Sequence, residues 1–197
     1  EGYGVSVYES AYALIATNVF DHNRHAIASS GDPGTGYYAS GNLVLENGGR
    51  NYAGPPLLYT HMFDVHGTTD CYGAELYCGP AGEYFSYTYN TILYTNGTAI
   101  KVRGRPSRGA FASHNVFAHS DQWGGVVDDA ALVQNDPGDN FYATQNTFGA
   151  TFNEMLVSSV CDFSGDGAPD DFLATGATWW YRSNAFGPHF SSWRYLH

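Results

Sequence analysis

S-H-N-V-F, residues 113–117, has four counterparts: A-T-N-V-F (16–20), S-G-N-L-V (40–44), T-Y-N-T-I (88–92) and T-Q-N-T-F (144–148). In each, an asparagine stands just before a short apolar alternating segment. Asn18 and Asn42 are 24 residues apart, Asn42 and Asn90 are 48 apart, and Asn115 follows Asn90 by 25. A recurrence with this period marks a solenoid or a propeller. A second short strand follows each asparagine: A-I-A-S-S (26–30), M-F-D-V-H (62–66), A-I-K-V-R (99–103), G-V-V-D-D (125–129) and M-L-V-S-S (155–159). The longer second interval holds two insertions, at 45–60 and 68–83.

Two strands per turn, asparagines at one corner and insertions confined to loops describe stacked parallel coils. Each asparagine side chain can bond the backbone of the neighbouring corner, satisfying groups that a turn would leave unpaired. An antiparallel sandwich would instead need hairpin turns every 8–12 residues. The expected fold is therefore all-β: a right-handed parallel β-helix over 1–150, with a different unit over 151–197. The first strands, within 3–16, read as a working rung with no polar cap. Another chain or a removed segment is expected to cover that end.

Composition agrees. Glycine (24 residues) and aromatics (16%) suit strands joined by tight corners,. No apolar run is long enough to span a bilayer as a helix. Eight Lys and Arg against nineteen Asp and Glu give a net charge of −11, which argues against nucleic acid and anionic membrane as partners,. Four of the eight bases nevertheless fall together at 101–108: Lys101, Arg103, Arg105 and Arg108. Cys71 and Cys78 flank a Gly/Tyr-rich loop and can close it as a disulfide, which implies an oxidising, extracellular setting. Cys161 reads as a buried apolar residue.

Three segments share one frame. H-A-I-A-S-S-G (25–31), H-M-F-D-V-H-G (61–67) and T-A-I-K-V-R-G (98–104) alternate apolar residues and end in glycine. Side chains alternate across a strand. With Phe63, Val65, Ile100 and Val102 inward, Asp64, His66, Lys101 and Arg103 point outward on neighbouring rungs about 4.8 Å apart. Ala28 and Ser30 leave room on the rung before, and Asp128 or Asp129 is expected on the rung after. His22, Arg24 and His25 lie at the adjoining corner, with Arg105 and Trp123 as further contacts for a ligand.

An acid, an imidazole and two cations on one face suit proton abstraction α to a carboxylate, giving lyase or C5-epimerase chemistry on an acidic polysaccharide. Asp64, His66, Lys101 and Arg103 are the catalytic candidates. Other readings are a ladder of surface ion pairs, a metal site from His22, His25, Asp64 and His66, and a carbohydrate-binding module using Trp123, Trp179 and Trp180. The chain also reads as a structural subunit cut from a larger protein.

Region 1–150 resembles the pectate-lyase-like right-handed β-helix proteins, many of which act on polysaccharides. Asp64-Val65-His66 is similar to the Asp-Pro-His motif of the alginate C5-epimerases, whose Asp and His are catalytic; here Val65 replaces the proline and Gly67 follows. Beyond the ladder, C-D-F-S-G-D-G-A-P-D (161–170) sets Asp162, Ser164, Asp166 and Asp170 at alternating loop positions, with the Ala168 carbonyl between the last two. Oxygen ligands at this spacing suit Ca²⁺. The stretch resembles the calcium loop of FG-GAP/VCBS-type repeats, and T-W-W-Y-R-S would be the following strand.

Overall fold

The structure is a computed structural model that describes residues 2–49, 61–70, 77–124, 130–134 and 140–150, together with strands Leu156–Ser158, Asp171–Ala174, Trp179–Arg182 and Arg194–Leu196. Among the described residues all regular structure is strand. The chain divides into two compact units, Glu1–Gly149 and Ala150–His197.

The first unit is built from three parallel sheets whose strands come from successive turns of the chain. The first sheet aligns Val5–Val7, Ile27–Ser29, Phe63–Val65, Ile100–Val102, Leu132–Gln134 and Trp123–Gly124. The second contains Tyr12–Ala16, Gly36–Ser40, Tyr84–Thr88, Gly109–Ser113 and Phe141–Thr144. The third contains Val19–Phe20, Leu43–Val44, Thr91–Ile92 and Val116–Phe117. Parallel pairing places equivalent residues of successive turns above one another, so the inward apolar residues stack into columns. Ile27, Phe63, Ile100 and Leu132 form one buried column, and Val44, Ile92 and Phe117 form another. Between them Phe63 stacks on Tyr87 at 5.9 Å, and the Tyr37 hydroxyl donates to that of Tyr87 at 3.0 Å, which gives two buried phenols each other as partners.

The asparagines stand at the corner joining the second and third sheets. Asn42 donates to Asn90 Oδ1 through both its backbone N–H and its side-chain amide, each at 3.0 Å. Asn90 does the same to Asn115, and Asn115 to Asn146. The residue before each asparagine takes positive φ: Thr17, Gly41, Tyr89, His114 and Gln145. Only one of the five is glycine, so the paired corner holds ordinary residues in a region they rarely adopt.

The glycine ending each quoted segment has a separate cause. A Cβ on Gly31 would lie 2.6 Å from the His66 carbonyl, and one on Gly67 2.7 Å from the Arg103 carbonyl. Successive rungs approach too closely there for any side chain.

One expectation is corrected. The strand beside Ile100–Val102 is Leu132–Gln134, so Val133 rather than an aspartate follows Lys101 in the column. Asp128 and Asp129 lie outside the described residues. The second unit contributes an antiparallel sheet of Leu156–Ser158, Asp171–Ala174, Trp179–Arg182 and Arg194–Leu196. The expected calcium ligands Asp162, Ser164, Asp166, Ala168 and Asp170 lie outside the described residues, as does Cys71; Cys78 ends the short strand Tyr77–Cys78.

Candidate functional site

Ala28, Asp64, Lys101 and Val133 form one column of the first sheet, paired residue to residue. They alternate with the core residues, so they stand on the outer side of the sheet, as the sequence pattern requires. That side is not open here. Asp64 is 0% exposed, and Lys101 and Arg103 are each 3% exposed.

Three of the four catalytic candidates meet at Asp64. Arg103 grips its carboxylate, with Nη2 at 2.7 Å from Oδ2 and 2.9 Å from Oδ1, and Nε at 3.2 Å from Oδ1. His66 Nε2 contacts both Asp64 Oδ2 and Arg103 Nη2. Its side chain is 27% exposed, which makes it the member of this group that reaches solvent. Lys101 is buried beside them on the rung next to Asp64.

His61, given no role above, is part of the same cluster. Its Nε2 lies 2.8 Å from Asp64 Oδ1, close enough to pair with it, and has no other hydrogen-bond partner among the described residues. The His25 ring lies tilted against His61 with ring centres 4.3 Å apart, and its Nδ1 donates to the His61 carbonyl at 2.6 Å. Tyr3 covers the other face of His25 at 5.1 Å, and the Arg24 guanidinium lies over Tyr3.

Burial and charge set the protonation states. Burial alone would raise the Asp64 carboxyl, but the Arg103 guanidinium and the neighbouring imidazoles outweigh it and hold the carboxyl well below the usual range. Burial pushes His25 down and His61 well down, against the pull of Asp64, so both imidazoles are neutral,. The cluster thus contains one anion and one guanidinium, with the Lys101 side chain buried on the adjoining strand.

The other candidates lie apart from Asp64. His22 is exposed, paired with Asp21 at 2.9 Å, and held with positive φ. Arg105 is exposed, its backbone bonded to Gly79 and Ala81. Trp123 lies at the edge of the first sheet against Phe141, three strands and roughly 14 Å from Asp64 at the usual strand spacing,.

A second feature lies on the outer face of the second sheet. Tyr12, Tyr38, Tyr84, Phe111 and Tyr142 follow one another from rung to rung, with ring centres 5.3–6.2 Å apart. Glycines make room for them: a Cβ on Gly36 would lie 2.5 Å from the Tyr12 ring, and one on Gly109 would lie 2.9 Å from the Phe111 ring. Two residues along, Ser40, Thr88, Ser113 and Thr144 form a parallel row of hydroxyls. The sequence signal for this track is a tyrosine or phenylalanine at alternate positions of each second-sheet strand.

Compared with family models, with curated proteins and with solved structures, the chain shows no match.

Proposed function

We propose that the chain is a secreted, polysaccharide-active protein on a right-handed, pectate-lyase-like coil, and that the Asp64 cluster acts on an acidic glycan. The observation that carries this reading is the meeting of Asp64, Arg103 and His66 on the outer side of a rigid sheet. In the proposed reaction the His66 imidazole takes the proton from the carbon α to a uronate carboxylate. The electron pair left behind forms the new carbon–carbon double bond as the glycosidic oxygen departs, and that oxygen acquires a proton. Return of a proton to the opposite face would instead give the C5 epimer. Asp64 orients the imidazole, and the positive charges of Arg103 and Lys101 offset the uronate carboxylate. In the tail, Asp162, Ser164, Asp166, Ala168 and Asp170 would hold Ca²⁺ as in an FG-GAP-type loop. Cys71 and Cys78 would form a disulfide.

The test is incubation with pectin, alginate and glycosaminoglycans, following the ultraviolet absorbance of an unsaturated uronate and the sugar configuration by NMR. Product from one of these polymers, lost in His66→Ala, is the expected result. No product and no epimer from any of them overturns the enzymatic reading.

A second reading, glycan binding without turnover, is favoured by the aromatic track of the second sheet. Tyrosine rings beside a row of hydroxyls match the apolar faces and hydroxyl rims of sugars. The flanking Arg108 and Glu83 pair with each other at 3.0 Å and leave the track without net charge there.

A further inference from the structure

We propose that His25, His61 and Asp64 hold a divalent transition-metal ion of the zinc class, with His66 on its open side. This is independent of which polymer, if any, the protein acts on.

The cluster offers four donor atoms, one each from His25, His61, Asp64 and His66, all within 4.8 Å of one another. Two donors sharing an ion at about 2.1 Å stand roughly 3.0–3.4 Å apart, and up to about 4.2 Å when opposite. Closing this set around a tetrahedral ion therefore draws its widest pair together by roughly an ångström,.

His61 is the most telling member. A ring nitrogen this deeply buried ordinarily has a hydrogen-bond partner, and beyond its 2.8 Å contact with Asp64 Oδ1 this Nε2 has none among the described residues. An imidazole and a carboxylate that stand this close need to open by only a few tenths of an ångström to share one ion. His25 supplies the supporting pattern. Its Nδ1–H is committed to the His61 carbonyl, which fixes the tautomer and leaves Nε2 with its lone pair,.

Arg103 does not conflict with this. A carboxylate offers about four acceptor directions; Arg103 takes both at Oδ1 and one at Oδ2, so an ion would take the remaining place at Oδ2, where His66 now makes contact. Two imidazoles and one carboxylate suit zinc-class ions and leave positions open for water or substrate. Calcium and magnesium prefer oxygen ligands throughout.

The experiment uses the full chain without a histidine tag. Its first-row transition metals are counted by plasma mass spectrometry, and Co²⁺ is then titrated into chelator-treated protein while visible absorbance is followed. Roughly one ion per chain is expected, with a saturable Co²⁺ band, and both should be lost in His61→Ala but kept in His22→Ala. His61→Gln, closer in shape, guards against loss through misfolding: it should keep the wild-type circular dichroism and still lose the Co²⁺ band. Less than roughly a tenth of an ion per chain after zinc is supplied, with no Co²⁺ band, overturns the proposal. So does full metal retention in the His25→Ala/His61→Ala double variant.

Discussion

Arg103 clasps Asp64 although Lys101 is the residue directly across the sheet from it. The guanidinium reaches back from one position beyond Val102 and approaches the carboxylate through Nε and Nη2. Removing it would leave a buried carboxylate without its cation, an arrangement that costs about 3–5 kcal/mol. Arg103→Ala should lose stability of that order in urea denaturation of chelator-treated protein. Arg103→Lys should recover only part of it, because a single ammonium cannot reproduce the two-pronged approach. A loss below about 1 kcal/mol in Arg103→Ala would show that the ion pair is not the dominant partner of Asp64.

The asparagine column predicts a gradient of cost along its length. Asn90 is fully buried, accepts two hydrogen bonds from Asn42, and donates to Asn115 and to the Ala39 carbonyl. Asn90→Ala strands several of these groups, at about 1–3 kcal/mol for each buried one. Asn18 is exposed, and its backbone donation to Asn42 survives truncation. Asn18→Ala should cost under about 1 kcal/mol. Equal losses at the two sites would mean that burial does not set the cost.

Alkaline pH should expose the Tyr37–Tyr87 pair. Burial raises both phenols well above their ordinary value near 10. In the unfolded chain they ionise above that value while in the folded protein they stay protonated, so the unfolded state binds fewer protons. Stability is therefore fully present below about pH 10 and declines above it, by about 1.4 kcal/mol per pH unit for each phenol. Denaturation curves between roughly pH 9 and 12 should show this slope, and the double variant Tyr37→Phe/Tyr87→Phe should flatten it. At neutral pH the double variant should be near wild type. Tyr37→Phe alone should cost about 1–3 kcal/mol by orphaning the Tyr87 hydroxyl.

Gly67→Ala should separate two rungs beside His66. The added methyl would meet the Cys78 and Arg103 carbonyls, both of them backbone, so neither can swing aside. A loss of about 3 kcal/mol or more is expected, at the upper end for overpacking. Gly41→Ala has open space and faces only the cost of positive φ, about 1–2 kcal/mol,. Thermal melts of the two variants should rank them in that order.

Calcium should act on the second unit alone. If the 162–170 loop binds it, chelation should lower that unit's melting temperature, and Asp166→Ala should abolish the effect of added calcium. An unchanged melt with and without calcium would leave that loop as an acidic turn.

The corner asparagines were legible because a buried polar column must repeat at the period of the coil. The shared frame of 61–67 and 98–104 was legible for the same reason, down to the pairing of Asp64 with Lys101. The burial of that face was not. Spacing along a strand does not report which groups lie over its outer side, such as the Tyr3 ring on His25. His61 was overlooked because it precedes the strand Phe63–Val65 and so falls outside the alternation that singled out Asp64 and His66. The rung after Lys101 was misplaced because both 125–129 and 130–134 carry apolar runs, and spacing alone did not separate them.

The side-chain amides of Asn18, Asn42, Asn90, Asn115 and Asn146 are threaded head to tail, every step running the same way. Each bond polarises the next, as in any one-way chain of amides. The corner thus behaves as an electrical file of aligned dipoles, and a cut at its middle should weaken links that the missing residue never touched. Hydrogen exchange at the amides of Asn18 and Asn115 in an Asn90 variant would register that remote loosening.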